Sequence, residues 1–369
     1  MIQLSVLILS LVNISYCLGG STEDWANRVI YQVFTDRFDK SKSNTVPCSD
    51  LTKYCGGSFE GTINRLDYLL ELGIDAIWIS PVVANIMNGY HGYWALDLYE
   101  INDHFGTKDD LKDLIKEAHS RGIYVMVDVV ANHMGQNMED LPYLNPFNDT
   151  KYYHDCGCVD NDCCPDSCWV EDYNNHAQMQ HCQLYGLPDL NQDVSFVADT
   201  LNNWIQSLVK EYDFDGIRID TVSYVKSEFW GHFTKSSGVF NIGEVSSPDA
   251  EFCASFVNDN SLASVFHYPL YYAIINSFAY KMSFQTLSNA LVASKAAFSS
   301  SKINSLGIFV ENHDVPRFLY LRNDIQASKN AILFVCTTAG IPIIYYGQDQ
   351  GYHGGSSDYA NREPLWTSG

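Results

Sequence analysis

The sequence predicts an α/β fold in which eight parallel strands, most of them joined by helix-length segments, close into a (β/α)8 barrel. Short runs rich in β-branched residues are apolar throughout, as in strands that helices cover on both faces. Helix-length segments alternate with these runs along the 369-residue chain, a length that such a barrel fills as one domain. Four of the runs end in carboxylate or histidine residues, and polar strand ends meet on one face of a parallel barrel.

The elements follow one another regularly along the chain. The clearest helix is 108–120, where apolar residues recur at helical spacing and Arg121-Gly122 ends the pattern. The predicted strands are 29–34, 76–80, 124–130, 214–220, 239–242, 262–266, 306–310 and 341–346. The other predicted helices are 67–72, 197–212, 228–234, 284–298 and 327–338.

The periodicity stops between His133 and about Gly186, where the sequence becomes polar and rich in cysteine and turn residues. A loop this long inside a compact domain is usually functional. We therefore predict an excursion domain at 135–187, inserted after the third strand, which divides the barrel into 18–134 and 188–369.

Cysteine usage indicates an oxidising compartment. Cys48 and Cys55 close a small loop, and an even number of cysteines in the excursion favours disulfides whose pairing the sequence leaves open. A zinc site is the alternative, because Cys-X-Cys and Cys-Cys spacings also ligate metal. Cys253 and Cys336 are left over, and Cys336, in an apolar run, is predicted to be buried. The clustered cysteines are Cys156, Cys158, Cys163, Cys164, Cys168 and Cys182.

Charge and composition exclude some partners. The formal charge is −22 with a pI near 4.6, so we expect no nucleic acid and no anionic membrane as a partner. Aromatic residues reach 14%, and we interpret some of the 24 tyrosines and 7 tryptophans as the lining of a sugar cleft, because they present an apolar face and a polar edge. Dense core packing is the alternative.

The two ends of the chain carry further expectations. Residues 1–17 resemble a signal peptide: the apolar run is too short to span a bilayer, and Ser15 and Cys17 are small residues suited to cleavage. We expect a secreted or lumenal protein, for example in a digestive vacuole, with a glycosylation sequon at Asn148-Asp-Thr150. The chain stops at Gly369, soon after the predicted eighth strand, and we expect the last barrel helix to be missing.

Four blocks at strand ends gather the side chains that carry the predicted chemistry. Glycosidic bonds are cleaved through an oxocarbenium-like transition state that needs one carboxylate below the ring and one carboxylic acid at the leaving oxygen. Asp220 and Glu244 end adjacent strands, so their heads can converge to the roughly 5–5.5 Å of a retaining pair. Arg218, on the same strand face, would hold Asp220 ionised. The blocks are Asp128-Val-Val-Ala-Asn-His133, Gly216-Ile-Arg-Ile-Asp220, Asn241-Ile-Gly-Glu244 and Phe309-Val-Glu-Asn-His-Asp314.

These motifs, in this order, resemble the α-amylase family (glycoside hydrolase family 13), and they are most similar to the fungal-type secreted α-amylases. The resemblance covers nearly all of the mature chain and implies a (β/α)8 TIM barrel followed by a C-terminal β-sandwich domain, which we expect to be missing here. Besides the four blocks it rests on Val29-Ile-Tyr-Gln-Val-Phe-Thr-Asp-Arg-Phe38, Tyr90-His-Gly-Tyr-Trp94, Leu187-Pro-Asp-Leu190, Gly243-Glu-Val245 and Ala360-Asn-Arg-Glu363.

The resemblance implies a role for each matching residue. Asp220 is the expected nucleophile and Glu244 the general acid/base, with its pKa raised by crowding from Asp220 and Asp314. Asp314 is the third carboxylate, which grips sugar hydroxyls. Substrate contacts are implied for His91, Tyr93, Trp94, His133, Arg218, His313, Asp358 and Arg362. A structural Ca²⁺ site is implied at Asn132, Asp189 and the backbone oxygen of Tyr224, and oxygen ligands from irregular loops suit that ion. We predict a carbonyl of the excursion, that of Gln180, as a further ligand.

The expected function is endo-hydrolysis of α-1,4-glucosidic bonds in starch, glycogen or maltooligosaccharides by a monomeric enzyme. Ser223-Tyr224 departs from the family, which usually carries Lys-His there, on the leaving-group side. This departure keeps open a maltogenic amylase or α-glucosidase that prefers short oligosaccharides. A non-catalytic glycan-binding relative is the remaining alternative, although such relatives normally lose the nucleophile or the acid, and Asp220 and Glu244 are both present.

Overall fold

A computed structural model describes residues 20–45, 47–135, 138–159, 162–355, 357 and 359–367. The predicted signal peptide at 1–17 and the predicted substrate contact Asp358 lie outside the described residues. No helix in the described ranges is long and apolar enough to cross a membrane.

Eight parallel strands form a nearly closed barrel, as the sequence predicts. Their order around the sheet is β6-β5-β4-β3-β2-β1-β8-β7. The ring closes between its two ends where the His267 N–H donates to the Gly307 carbonyl at 2.8 Å. The strands are β1 (Ile30–Val33), β2 (Ala76–Ile79), β3 (Tyr124–Val129), β4 (Gly216–Ile219), β5 (Phe240–Gly243), β6 (Ser264–Val265), β7 (Gly307–Ile308) and β8 (Ile341–Tyr345).

Successive side chains of these strands enter different cores, which is why the runs are apolar throughout. In β2, Ala76 and Trp78 join one buried cluster, whereas Ile77 and Ile79 join the other. Strand side chains alternate between the two faces of a sheet, so both faces are covered here.

Helices cover the barrel, and short helical turns fill many of its loops. The α-helices are Thr22–Ala26, Thr35–Phe38, Phe59–Ile63, Leu66–Glu71, Lys108–Ser120, His176–Met179, Ser195–Tyr212, Ser227–Ser237, Ala250–Ser255, Tyr268–Ile274, Gln285–Ala297, Phe318–Leu321 and Ile325–Thr337. Shorter 3₁₀ turns are Met138–Tyr143, Thr150–Tyr152, Leu184–Gly186, Val222–Tyr224, Ile303–Ser305 and Leu365–Thr367, and Ile275–Ala279 is a π-helical turn.

The helix Lys108–Ser120 has the bounds that its sequence predicts. Thr107 caps its first turn, accepting from the Asp110 N–H while the Asp110 carboxylate accepts from the Thr107 N–H. This reciprocal capping satisfies two backbone donors that the first turn leaves unpaired. At the other end Gly122 adopts φ +74°, a left-handed conformation that glycine reaches without steric cost.

The excursion has little regular structure, and its chain is held by covalent links. Among its described side chains, disulfides join Cys156 to Cys168 and Cys164 to Cys182, and the backbone of Cys158–Val159 pairs with that of Asp162–Cys163. All the clustered cysteines whose side chains the structure describes are thus in disulfides, which argues against zinc. The predicted Cys48–Cys55 link is present as well. The sequon residue Asn148 is exposed.

One burial prediction is wrong. Cys253 is a buried free thiol, but Cys336 is exposed on the helix Ile325–Thr337. The inward face of that helix is formed by Ala327, Ala331 and Val335, which recur every four residues. Cys336 follows Val335 by one position, about 100° around the helix, so it lies off the buried stripe.

Candidate active site

Four strands deliver carboxylates to the same end of the barrel. Asp128 lies near the carboxyl end of β3, Asp220 follows β4 directly, and Glu244 follows β5 directly. Asp314 lies in the segment that follows β7. Because the strands are parallel, their carboxyl ends share one face, which is where barrel active sites are built.

The guanidinium of Arg218 joins three of these carboxylates. Its Nη1 donates to Asp220 Oδ1 at 2.7 Å and to Asp128 Oδ1 at 2.9 Å, and its Nη2 donates to Glu244 Oε2 at 2.7 Å. The Arg218 side chain is 1% exposed. One cation therefore faces three buried acids, and it cannot neutralise all of them if all three are ionised.

The environment of Glu244 favours its protonated form. Burial raises its pKa to about 8, and the charges of Asp220 and Asp314 act in the same direction, against the attraction of Arg218. The predicted direction agrees with this shift, but desolvation rather than crowding is its largest cause. The Tyr268 hydroxyl also donates to Glu244 Oε1, at 3.4 Å.

Asp314 differs from the other three because it lies at the open rim. Its side chain is 39% exposed. Arg362 approaches Asp314 Oδ1 through Nη2 at 3.5 Å, and His313 Nε2 lies 3.1 Å from Asp314 Oδ2. This carboxylate can therefore meet a ligand that enters the mouth of the barrel.

Tyr93 and His313 belong to a buried hydrogen-bond chain. Gln32 Nε2 donates to His313 Nδ1 at 2.7 Å, so we assign the ring proton to Nε2, which lies 2.7 Å from the Tyr93 hydroxyl. That hydroxyl donates to Asp128 Oδ2 at 2.7 Å, and Trp78 Nε1 donates to the same oxygen at 3.2 Å. The Tyr93 and His313 rings stack with centroids 5.3 Å apart. These hydrogen bonds fix the Tyr93 and His313 rings beside the carboxylates.

The other predicted substrate-binding residues of the described part lie around this hydrogen-bond chain. His91 Nδ1 accepts from the Tyr93 N–H at 3.0 Å, and its ring meets Trp94 edge-on with centroids 4.4 Å apart. Burial lowers the pKa of His91, and that of His133, so both are neutral at pH 7. His133 is 2% exposed and its Nε2 donates to the Tyr93 carbonyl at 3.1 Å. Arg362 Nε donates to a backbone carbonyl of the same wall.

Three oxygen-bearing groups converge beside the catalytic face, where the excursion meets the barrel. The Asn132 amide lies 3.1 Å from the Tyr224 carbonyl oxygen and 3.2 Å from Asp189 Oδ1. In one orientation of the Asn132 amide, its nitrogen donates to both oxygens. In the other orientation, its oxygen faces them and the three oxygens can bind a cation together. Burial raises the pKa of Asp189 to about 6. His154 Nδ1 lies 2.6 Å from Asp189 Oδ2.

The fourth predicted ligand is the carbonyl of Gln180. Gln180 ends the helix His176–Met179, which packs against the turn Val222–Tyr224. Its participation stays a prediction.

Comparisons with known proteins match this geometry to one family. The family model described as "Alpha amylase, catalytic domain" matches residues 32–365. An α-amylase from Saccharomycopsis fibuligera is 40% identical over 365 residues, covering 95% of this chain and 71% of the relative. The chain belongs to the α-amylase family.

Further similarities agree with this membership. α-Amylase 2 of Schwanniomyces occidentalis is 40% identical over 362 residues, covering 94% of this chain and 68% of that protein. The structure of an α-amylase from Malbranchea cinnamomea superposes with a TM-score of 0.86 at 36% identity, covering 95% of this chain and 74% of that one. The protein is a glycoside hydrolase of the α-amylase type and is similar to fungal members of the family.

Several residues of this α-amylase-family site have no role in the sequence prediction. Gln32 and Asp128 carry a visible signal, because each is a polar residue within an apolar strand. Tyr268 and Asn312, which form a 3.2 Å hydrogen bond beside Glu244, carry none. A tyrosine in an aromatic-rich chain is equally well explained by core packing.

Proposed function

We propose that this protein is a secreted, retaining α-amylase that cleaves internal α-1,4-glucosidic bonds of starch or glycogen. The observation that carries the proposal is the single guanidinium of Arg218 in contact with both Asp220 and Glu244, with the pKa of Glu244 raised to about 8 by burial. The named relatives are α-amylases, and one structural neighbour, from Geobacillus thermoleovorans, is described as an α-amylase complexed with acarbose.

Asp220 is the nucleophile in this proposal. It attacks the anomeric carbon from the β face of the ring, opposite the leaving oxygen, and forms a covalent glycosyl intermediate, while Glu244 gives its proton to the leaving oxygen. Water then attacks the intermediate, Glu244 takes its proton, and Asp220 is released. Arg218 donates 2.7 Å hydrogen bonds to both side chains. Burial favours a protonated Glu244.

The other site residues orient the sugar. The exposed edge of Asp314 accepts hydrogen bonds from sugar hydroxyls at the rim, and Tyr93 presents a ring that the buried chain through Gln32 and His313 holds in place. A neutral His313 donates without bringing a further positive charge beside Arg218, and burial lowers its pKa in support of that state.

Calcium is proposed as a structural ion, held by the side chains of Asn132 and Asp189 and the backbone oxygen of Tyr224. The support is the convergence of oxygen atoms at 3.1 and 3.2 Å around one amide, a donor set of the kind that Ca²⁺ prefers. When bound, the ion supplies positive charge to a buried carboxylate and ties the excursion to the barrel. Secretion is proposed because the disulfides require an oxidising compartment.

A family member that favours short oligosaccharides is the second candidate. It is kept open by Ser223-Tyr224, where Ser223 is 5% exposed and has no long cationic side chain to reach a sugar. Product profiling on amylose separates the two. Endo attack gives mixed maltooligosaccharides from the first minutes, whereas early release of maltose or glucose alone would favour the second candidate.

A further inference from the structure

A short loop closed by a disulfide is connected to the wall that holds Asp314. This loop, here called the disulfide loop, comprises residues 48–55 and is closed by the bond between Cys48 and Cys55. It follows β1 and the helix Thr35–Phe38. No residue of the loop takes part in the hydrolytic steps proposed above, so its contacts with the substrate-binding wall need another explanation.

Arg37 is the residue through which the disulfide loop reaches this wall. Its side chain is fully buried. Its Nη2 donates to the Leu51 carbonyl at 2.9 Å and to the Lys53 carbonyl at 2.8 Å, and both acceptors lie within the disulfide loop. On the other side, its Nη1 donates to the Arg362 carbonyl at 3.2 Å. One buried guanidinium therefore joins the loop to the backbone of Arg362.

Asp36 holds the end of the disulfide loop and the Arg37 guanidinium together. The Cys55 N–H donates to Asp36 Oδ2 at 2.7 Å, and the Gly56 N–H donates to Asp36 Oδ1 at 3.1 Å. Arg37 Nε donates to Asp36 Oδ2 at 2.8 Å. This carboxylate is fully buried, so a change in its position would leave polar groups without hydrogen bonds. The disulfide restrains Cys55 and therefore this whole set of contacts.

The side chain of Arg362 extends the connection to the rim of the active site. The guanidinium carbon of Arg37 lies 4.1 Å from the centroid of the Tyr90 ring, and the Tyr90 hydroxyl accepts from Arg362 Nη1 at 3.3 Å. Arg362 Nε donates to the His313 carbonyl at 3.1 Å, and its Nη2 donates to Asp314 Oδ1 at 3.5 Å. Two arginines therefore connect the rim carboxylate to the disulfide loop.

We propose that the disulfide loop and Arg37 position Arg362, and through it Asp314, for sugar binding at the rim of the site. The proposal rests on the function proposed above, in which Asp314 accepts hydrogen bonds from sugar hydroxyls. Opening the disulfide removes the restraint on the two loop carbonyls that Arg37 Nη2 contacts. A buried donor without an acceptor is unfavourable, so the guanidinium takes up other partners and its contact with the Arg362 carbonyl changes. Sugar binding weakens, while the bond-breaking groups keep their places in the barrel.

The test compares a Cys48→Ser/Cys55→Ser variant with the wild-type enzyme on maltopentaose, well below the melting temperature of either protein. KM should rise roughly five- to tenfold and kcat should change by less than about twofold, because the affected contacts bind the sugar and β4 and β5 hold the reacting carboxylates. Arg37→Lys keeps the positive charge but lacks the planar guanidinium that contacts both sides, so it should raise KM to a similar extent.

Arg28→Lys is the matched control. Arg28 likewise donates to two backbone carbonyls, those of Asp75 and Gly122, and lies over a tyrosine ring, that of Tyr124. Arg28, Asp75 and Gly122 precede β1, β2 and β3, so these contacts lie at the amino ends of the strands, opposite the catalytic face. The control variant should therefore keep the wild-type KM, and an equal rise in its KM would overturn the proposal.

A double-mutant cycle separates positioning from general destabilisation. Arg362→Ala removes the side chain through which the disulfide loop is proposed to act, so opening the disulfide in that background should raise KM by less than about twofold more. An unchanged KM after opening the disulfide, or full additivity with Arg362→Ala, would overturn the positioning proposal. An unchanged KM in Arg362→Ala alone would instead contradict the sugar-binding role that the proposed function gives to this wall.

Discussion

The catalytic centre and the excursion are positioned by different forces. At the centre, Arg218 and Asp128 are 1% and 2% exposed, and their side chains project from β4 and β3, whose pairing fixes the backbone. In the excursion, Trp169 and Tyr185 are 49% and 70% exposed on chain with few strand or helix hydrogen bonds. Barrel strands and buried charge pairs position the centre, whereas disulfides position the excursion. Substitutions at the catalytic centre should therefore mainly lower activity, whereas substitutions in the excursion should mainly lower stability.

The largest expected effect is chemical rather than structural. Asp220→Asn or Glu244→Gln should lower kcat on starch about a thousandfold or more, because each removes a group that acts only in the transition state. The melting temperature should change little, since both substitutions keep the side-chain shape. Asp199→Asn, at an exposed carboxylate on the helix Ser195–Tyr212, is the control. Activity above a tenth of wild type in both variants would remove the catalytic assignment.

The excursion should respond to loss of a covalent link. Replacing Cys164 and Cys182 together by serine removes a disulfide between residues separated by 18 positions in the sequence. The free energy of unfolding should fall by about 3 kcal/mol. Calorimetry should show the loss as a lower melting temperature, with a larger effect on KM than on kcat. Cys336→Ser, at an exposed free thiol, should leave the melting temperature unchanged. An equal loss in both would contradict a specific role for the disulfide.

The pH dependence of activity reports on the catalytic centre alone. Glu244 must be protonated to act as an acid, and burial raises its pKa to about 8. Activity should therefore be maintained through neutral pH and fall tenfold for each pH unit above that value, about a hundredfold two units above it. A kcat/KM profile measured on maltoheptaose checks this. An alkaline limb near the ordinary glutamate pKa would show that the carboxyl is solvated during catalysis.

Chelation should produce the smallest change and should act where the two regions meet. Calcium at a free concentration about ten times its Kd stabilises the native state by about 1.4 kcal/mol. Removing it with EDTA should therefore lower the melting temperature by a few degrees. Asp189→Asn, which removes the only carboxylate of the proposed calcium set, should abolish the difference between calcium and EDTA. An unchanged melting temperature in metal-analysed, EDTA-treated protein would remove the site.

The sequence predicts the barrel well because its signals are local. The run from Tyr124 to Val130 is apolar and β-branched, and it becomes β3 with one residue fewer. Asp220 and Glu244 are predictable because each directly follows such a run. The pairing of Cys156 with Cys168 is not predictable, because the sequence does not show which of the clustered cysteines is the partner of Cys156. The largest cause of the Glu244 pKa shift also escapes sequence reasoning, because burial depends on neighbours distant in the chain.

The hydrogen-bond chain from Gln32 to Asp128 shows the same limit. Each member is visible as a residue, but the contact of Gln32 with His313 joins positions 281 residues apart. Nothing in local periodicity brings them together; the pairing of β1 with β8, and of β8 with β7, does. Long-range strand order therefore decides which polar residues become partners.

The most direct test of the central claim is to identify the residue that becomes covalently bonded to sugar. Incubation with a 5-fluoro-α-maltosyl fluoride slows breakdown of the glycosyl intermediate, and peptide mass spectrometry then locates the adduct. The account predicts one adduct, on Asp220, together with α-configured products by NMR in normal turnover. An adduct on Glu244 or Asp314, or β-configured products without any adduct, would contradict it.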